Sequence, residues 1–207
     1  MKISVERTGG LAALTRVWTV TAETERAKSQ WQPIVEEPST DSEPGWLTLL
    51  RGDDHFASIQ TVTLRSAKDS DLPFVGDLAS LRDAQLRGPN VTDAGLVHLA
   101  RLHNLTRLDL FKTSVSGPGL VHIRTLQKLE RLSLAATQIT DESLGHCGAI
   151  ASLQFLELYD TQVSDAGLEH LHGLSSLRIL DVRSTRVTKV GVAALKAALP
   201  RCTVFHD

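Results

Sequence analysis

Apolar residues recur with a period of 24 positions along most of this chain. Five segments align without gaps, and they begin at Leu81, Leu105, Leu129, Leu153 and Leu177. A fixed period of this size predicts a solenoid, in which each repeat is one supersecondary unit that packs against its neighbours. A shorter, degenerate copy at 59–80 gives six repeats over 59–200, and 201–207 begins a seventh strand.

Each repeat contains the pattern of a strand followed by a helix, counting positions from its first leucine as position 0. Apolar residues at positions 3 and 5, such as Leu132 and Leu134, share one face of a short strand because side chains alternate there. Position 11 is always Ser or Thr, and Asp follows it at Asp93, Asp141 and Asp165. This combination indicates a helix start, with the hydroxyl as N-cap and the carboxylate favourably placed at the helix dipole.

Position 8 forms a second polar column along the repeats. It is Thr in four copies, namely Thr113, Thr137, Thr161 and Thr185, whereas the first full copy has Pro89. A threonine hydroxyl bonds readily to nearby backbone. We therefore expect these threonines to bond backbone in the neighbouring turn, with a gap at Pro89, which has no hydroxyl.

The pattern LxxLxLxxTxVTDxGLxxLxxL resembles the leucine-rich-repeat family across 59–207. The resemblance implies an α/β fold, a right-handed solenoid or horseshoe with a parallel β-sheet on its concave face and helices on its convex face. It also implies binding to a protein partner rather than catalysis.

The N-terminal part of the chain lacks the repeat. Two β-rich runs around Gly9–Gly10 predict a hairpin and 23–35 has a helical pattern, so that 1–35 forms an appendage of a hairpin and a short helix. The segment 36–45 is acidic and rich in Pro, Ser and Gly, which is typical of a linker. We expect 46–58 to be a cap helix that covers the open end of the repeat core.

The opening sequence MKISVERTGGLAALTRVWTV resembles emfourin-type inhibitors of thermolysin-like metalloproteases. An ERTGG segment after a first strand, and a second strand rich in Leu, Arg and Trp, carry the likeness over about 35 of the 207 residues. This resemblance implies an alternative function, metalloprotease inhibition through 1–35.

Composition narrows the class of partner. The net charge of −2 and the absence of a strongly basic half argue against nucleic acid. No apolar run has the length of a signal peptide core or a membrane span, so we expect no membrane association. The two cysteines, Cys147 and Cys202, have the surroundings of small buried apolar residues, and we expect a monomer in the cytoplasm.

Position 17 is the one column that suggests chemistry. Histidine occupies it in four copies, His98, His122, His146 and His170. Equivalent residues of stacked repeats lie about 5 Å apart, which is close enough for a shared metal ion. An amphipathic residue beside the buried position 18 explains the column more simply, since no carboxylate or thiolate column adjoins it. No nucleophile, phosphate-binding or metalloprotease motif occurs, so we predict no enzyme, no metal and no cofactor.

Function is instead expected at positions 2, 4 and 6, which alternate with the core leucines and face away from them. Aromatic residues near Arg and carboxylates favour a protein interface there. The predicted apolar anchors are Phe111, Phe155 and Tyr159. The residues predicted to set charge complementarity are Arg87, Asp109, Glu157, Asp181 and Arg183.

Overall fold

One nine-stranded sheet runs through the part of the chain that a computed structural model describes, residues 2–7, 16–21 and 59–207. The strand order is β2-β1-β3-β4-β5-β6-β7-β8-β9. The strands are β1 Lys2–Arg7, β2 Arg16–Thr21, β3 Thr61–Leu64, β4 Asp83–Leu86, β5 Arg107–Asp109, β6 Arg131–Ser133, β7 Phe155–Glu157, β8 Ile179–Asp181 and β9 Thr203–Phe205. The expected helix in 23–35, linker at 36–45 and cap helix at 46–58 lie outside the described residues.

The seven strands β3–β9 pair in parallel, each with the strand of the next repeat. Leu108, Leu132 and Leu156 stand opposite one another, as residues separated by one repeat should. The leucines at positions 3 and 5 are buried in one continuous core, with Leu132 at 1% and Leu134 at 0% exposure. The predicted leucine-rich-repeat solenoid is therefore confirmed.

Short helices lie opposite the sheet. Within the described residues, the α-helices are α1 Leu72–Gly76, α2 Asp141–Cys147, α3 Asp165–Glu169 and α4 Lys189–Ala198. The 3₁₀ helices are Asp69–Asp71, Gly95–Arg101 and Pro118–His122, so the second and third repeats have tighter coils than α-helices. Among the described residues, no helix is long and apolar enough to cross a membrane.

The threonine column at position 8 holds each turn rather than linking neighbouring turns. The Thr137 hydroxyl donates to the Leu134 carbonyl of its own repeat at 2.5 Å. Thr113 and Thr161 make the same bond to Leu110 and Leu158, at 2.8 and 2.6 Å. The expectation of a bond to the neighbouring turn was wrong, because the carbonyl three residues earlier is the nearer acceptor.

A ladder of aspartates, at position 12 in the full repeats, links neighbouring repeats at every junction within 59–200 except the one between the third and the fourth. The Asp141 carboxylate accepts from the Ser164 N–H at 2.7 Å and from the Ser164 hydroxyl at 2.6 Å. Asp165 binds Thr188 in the same way, at 2.7 and 2.6 Å. We call each such carboxylate, with the Ser or Thr that it binds, an aspartate staple. The remaining staples join Asp69 to Thr92 and Asp93 to Ser116.

The helix-cap interpretation of position 11 is confirmed at Thr188 and Thr140, which begin their helices as N-caps, and is corrected by the staples at Ser164. Ser164 accepts no cap hydrogen bond from its own helix, and its hydroxyl donates to the previous repeat instead. Thr188 does both, since it also accepts from the Val190 N–H at 3.2 Å. A carboxylate offers two acceptor oxygens to the N–H and O–H of one residue, which makes it the stronger partner for that hydroxyl.

Staples determine where glycine is required. A Cβ at Gly167 would collide with Asp141 Oδ1, and a Cβ at Gly191 would collide with Asp165 Oδ1. Between the third and fourth repeats the two residue types are exchanged. Gly117 stands at the aspartate position, and Ser143 takes the glycine position, with its hydroxyl 2.9 Å from the Ser116 carbonyl that accepts from it. A side chain at Gly117 would collide with Ser143 Oγ. Only one of positions 117 and 143 can therefore carry a side chain.

The N-terminal strands extend the solenoid sheet beyond its first repeat. β1 pairs antiparallel with β2 on one edge and antiparallel with β3 on the other. Ile3 stands opposite Leu64, and Glu6 stands opposite Thr61. The first parallel strand therefore has a hydrogen-bonded neighbour on each side.

Candidate functional site

Residues at positions 2, 4 and 6 alternate with the buried core positions along each strand. In β3 the burial pattern alternates between partly exposed and buried, and it does so again in β4. The surface formed by positions 2, 4 and 6 of β3–β9, together with the turn residue that follows position 6, is called the concave surface below. It contains all eight residues predicted to bind a partner.

Two aromatic rings meet near the middle of the concave surface. The ring centroids of Phe111 and Tyr159 lie 5.9 Å apart and the ring planes are inclined by 41°. These residues belong to repeats that flank Ala135, which is 0% exposed although it stands at the outward position 6. We infer that the rings close over Ala135, and we call the three residues the aromatic bridge. The burial of Ala135 departs from the alternation expected of an outward position because its neighbours are large.

Cations surround the Phe111 end of the aromatic bridge. The Arg87 guanidinium carbon lies 5.7 Å from the Phe111 ring centroid, and Lys112 Nζ lies 5.1 Å from it. Arg87 is held in place by Asp109, whose carboxylate accepts from Arg87 Nε at 2.8 Å. Charges at this distance are attracted to the face of the ring. Three of the predicted residues, Arg87, Asp109 and Phe111, are thus in one contact group.

Phe155 forms a separate apolar site at position 2. The Arg131 guanidinium carbon stacks 3.9 Å from its ring centroid, and Arg131 and Phe155 are register partners in β6 and β7. Ile179 stands opposite Phe155 on the other side. Phe155 is partly exposed, so one face of this arginine–phenylalanine pair remains available to a partner.

Asp181 is less exposed than its outward position 4 predicts. Its exposure is only 7%, and its Oδ1 accepts from Arg183 Nε at 2.9 Å. The hydrogen bond from the Arg183 side chain is the main reason why the pKa of Asp181 is lowered, in spite of the opposing effect of burial. The expectation that Asp181 faces solvent was wrong, because the neighbouring arginine and Phe205 lie beside it. Asp181 can orient Arg183, which is exposed.

Tyr159 lies in an acidic environment at the other end of the aromatic bridge. Burial raises the pKa of its phenol, and the nearby carboxylates of Glu157, Asp109 and Asp181 raise it further. Beside it is a shallow depression of about 370 Å³, which is lined by Tyr159, Arg183, Ser184 and Asp207. The phenol is therefore neutral and able to donate a hydrogen bond at physiological pH.

Two further residues of the concave surface were not among the predicted binding residues. Phe205 is 47% exposed, stands opposite Asp181, and has the Arg183 guanidinium carbon 5.9 Å from its ring centroid. Arg131, described above, is the second. The repeat register contained the signal for both, since Arg131 occupies position 2 and Phe205 occupies position 4 of the seventh strand.

The histidine column lies on the helical side of the solenoid, away from this surface. His98, His122 and His146 are half-buried and His170 is exposed. Within residues 59–207 and the two N-terminal strands, no group of three or more His, Cys, Asp or Glu residues could hold a metal ion. Cys147 and Cys202 are free and buried, as predicted, and burial raises the pKa of the Cys147 thiol to about 12.

The metalloprotease-inhibitor hypothesis for 1–35 stays a prediction. Strands β1 and β2 are described, but the ERTGG turn beyond Arg7 and the expected helix in 23–35 lie outside the described residues. Both edges of β1 are occupied, by β2 and by β3.

Comparison with known proteins is consistent with this architecture. The family model described as "Leucine Rich repeat" matches residues 173–196. A leucine-rich-repeat protein of Leptospira interrogans has a TM-score of 0.52 and 22% identity, and the match covers 69% of this chain and 34% of that one. Internalin C2 of Listeria monocytogenes has a TM-score of 0.56 and 20% identity, with coverage of 76% and 72%. This chain thus spans about a third of the length of the Leptospira protein. No curated protein sequence matches it.

Proposed function

We propose that the concave surface of this leucine-rich-repeat solenoid binds a protein partner without catalysing a reaction. Leucine-rich-repeat domains are typically protein-interaction modules. The proposal specifies which surface binds the partner and names its anchors as Phe111, Phe155 and Tyr159.

The observation that carries the proposal is the partly exposed aromatic side chains held in fixed positions on the sheet. Tyr159 packs on Phe111, and Phe155 packs under Arg131. A side chain already fixed by its neighbours loses little conformational entropy when a partner docks. Buried aromatic and arginine side chains also contribute most of the binding energy in typical interfaces.

Charged residues around these anchors support a protein partner of complementary charge. Arg87 and Asp109 form an ion pair on one side of the aromatic bridge, and Arg183 and Asp181 form another on the other side. Glu157 is exposed between Phe155 and Tyr159 in β7 and the turn that follows it. Charges at the rim of an interface set specificity and association rate more than affinity.

The proposal is tested by affinity capture from the native cell with the wild-type chain and a Phe155→Ala/Tyr159→Ala double variant. We expect a partner to be retained by the wild type and lost, by about tenfold or more, from the double variant, because two central anchors are removed. Circular dichroism and thermal unfolding would establish that the double variant keeps its fold.

A matched control truncates exposed apolar side chains on the helical side of the solenoid, opposite the concave surface. Val97 and Val190 are 44% and 76% exposed on the helical side of the solenoid. The Val97→Ala/Val190→Ala variant should retain the partner as the wild type does. A partner held equally by all three proteins would show that the concave aromatic residues are not the binding site.

A further inference from the structure

Charged residues on the concave surface are sorted along the solenoid. Its first four strands, β3–β6, carry five basic and two acidic residues, and the last three, β7–β9, carry one basic and four acidic residues. The residues of the first group are Arg65, Asp83, Arg87, Arg107, Asp109, Lys112 and Arg131. Those of the second group are Glu157, Asp160, Asp181, Arg183 and Asp207. One half of the surface is therefore positive and the other half negative, although the whole chain has a net charge of only −2.

Ion pairs within the surface account for only part of these charges. Asp83 pairs with Arg107 at 3.1 Å, Asp109 pairs with Arg87, and Asp181 pairs with Arg183. The charges that remain without an ion pair among the described residues are Arg65, Lys112 and Arg131 in the positive half, and Glu157, Asp160 and Asp207 in the negative half.

All six remaining charges are exposed. Lys112 lies over the Phe111 ring and Arg131 over the Phe155 ring, so both cations are directed toward the aromatic anchors. Asp207 receives a hydrogen bond from the Ser184 N–H at 2.6 Å, which fixes its carboxylate beside Tyr159 in the shallow depression.

We propose that the partner is an extended polypeptide segment of opposite charge order. Its acidic end would lie over β3–β6, its basic end over β7–β9, and an apolar side chain between them would pack on the aromatic bridge. This inference rests on the proposed function of the concave surface. A uniformly charged partner, including nucleic acid, gains attraction in one half but is repelled by the other.

The dimensions of the sheet set the size of this segment. Neighbouring strands lie about 4.8 Å apart, so β3 and β9 are separated by about 29 Å. An extended chain advances about 3.3 Å per residue, and a segment of about nine residues therefore crosses the whole surface. The aromatic bridge stands at the boundary between the two charged halves, which places the apolar residue near the middle of the segment.

The test uses two synthetic peptides of the same composition, about nine residues long. In the first, three glutamates precede a central Ala-Trp-Ala and three lysines follow it. In the second, the same glutamates and lysines alternate on both sides. We expect the first to bind at least about tenfold more tightly at about 0.01 M ionic strength, and the difference to vanish at about 1 M, where the Debye length is about 3 Å.

A spin label on the lysine end of the first peptide reports its direction. The label should broaden amide NMR signals of β8 and β9 more than those of β3 and β4. Broadening in the opposite order, or equally along the sheet, would overturn the proposal.

Two charge-reversal variants test whether the charges of the concave surface cause the preference for the first peptide. Glu157→Lys/Asp160→Lys should abolish the preference between the two peptides. Glu142→Lys/Glu169→Lys makes the same change in net charge on exposed residues of α2 and α3, and it should leave the preference intact.

Two outcomes refute the charge order in different ways. If both peptides bind equally and both are lost with Phe155→Ala/Tyr159→Ala, the concave surface still binds polypeptide but the charge order is irrelevant. If neither peptide binds at about millimolar concentration, the charge order is also rejected, and the capture experiment then decides the proposed function separately.

Discussion

At the scale of single residues, the turn after each strand requires an unusual backbone conformation. Lys112, Ala136, Asp160 and Ser184 occupy position 7 with φ between 53° and 57°. The second repeat has Gly88 there, with φ 135°. A left-handed conformation costs an L-residue about 1–2 kcal/mol, whereas glycine adopts it freely. Four turns therefore contain a local strain that the surrounding hydrogen bonds offset.

We predict that Ala136→Gly stabilises the protein by about 0.5–1 kcal/mol. The strain is relieved, and the entropy that glycine gains in the unfolded chain offsets only part of this gain. The free energy of unfolding, measured by urea denaturation, checks the prediction.

Ala194→Gly serves as the control for this substitution. Ala194 is exposed within α4, where glycine should destabilise by about 0.5–1 kcal/mol. Destabilisation by both substitutions would contradict the strain argument.

Sequence patterns predicted the buried positions well and the polar contacts poorly. Leucine periodicity indicates which side chains face the core, because burial depends on the average environment of a position. The partner of a given polar atom depends on distances of a few tenths of an ångström. For this reason Asp181 was expected in solvent but lies beside Arg183, and Thr137 bonds its own turn.

At the scale of the secondary-structure elements, aspartate staples join neighbouring repeats at four of the five junctions within 59–200. The interface between the third and fourth repeats lacks a staple because Gly117 replaces the aspartate. Ser143 supplies a single hydrogen bond to the Ser116 carbonyl in its place. The exchange of Gly and Ser at positions 117 and 143 is visible in the sequence. The contact between them could not be predicted from helix capping, because capping concerns residues within one turn and these residues are 26 positions apart.

We predict that Gly117→Asp and Ser143→Gly are strongly coupled. Gly117→Asp alone should destabilise by about 2 kcal/mol or more, because its side chain collides with Ser143 and the backbone at Gly117 has φ 133°. The double variant should recover at least about 1 kcal/mol of that loss, since the collision is removed and a staple to Thr140 can form. Urea denaturation of the four proteins measures the coupling. Additive effects of the two substitutions would exclude direct contact between the positions.

At the scale of the whole molecule, the staples make stability depend on ionised carboxylates. Hydrogen bonds from Thr188 lower the pKa of Asp165. Burial raises the pKa of Asp93, but hydrogen bonds from Ser116, Gly119 and Gly117 outweigh this and lower it overall. A lowered pKa in the folded state gives stability that is complete above the unfolded pKa of about 3.9. That stability is lost as pH falls through the folded values.

We therefore expect the urea midpoint to fall between about pH 5 and pH 3, where the carboxylates of Asp93 and Asp165 begin to bind protons in the unfolded chain. Asp165→Asn should lower the midpoint at pH 5 and reduce its further loss on acidification. Glu169→Gln, an exposed substitution in α3, should follow the wild-type curve. A midpoint that stays constant down to pH 3, or an unchanged slope for Asp165→Asn, would be incompatible with this role of the staples.

The concave surface was predictable as a location and only partly as a set of contacts. Alternation along the strands indicates that Phe155 and Tyr159 face outward, and the structure agrees. The contact of Phe111 with Tyr159 joins two repeats that are not adjacent, and it depends on the small side chain of Ala135 between them. The repeat register already contains the order of charges along the surface, but which of these charges stay unpaired becomes apparent only from the ion pairs in the structure.

The exchange of Gly117 and Ser143 also restricts which repeats the solenoid can lose without a collision at the new junction. Deleting the third repeat alone would bring Asp93 against Ser143, where a matching interface needs glycine. Deleting the third and fourth repeats together would bring Asp93 against Gly167, which restores a compatible junction. The third repeat is therefore expected to be lost by recombination only together with the fourth.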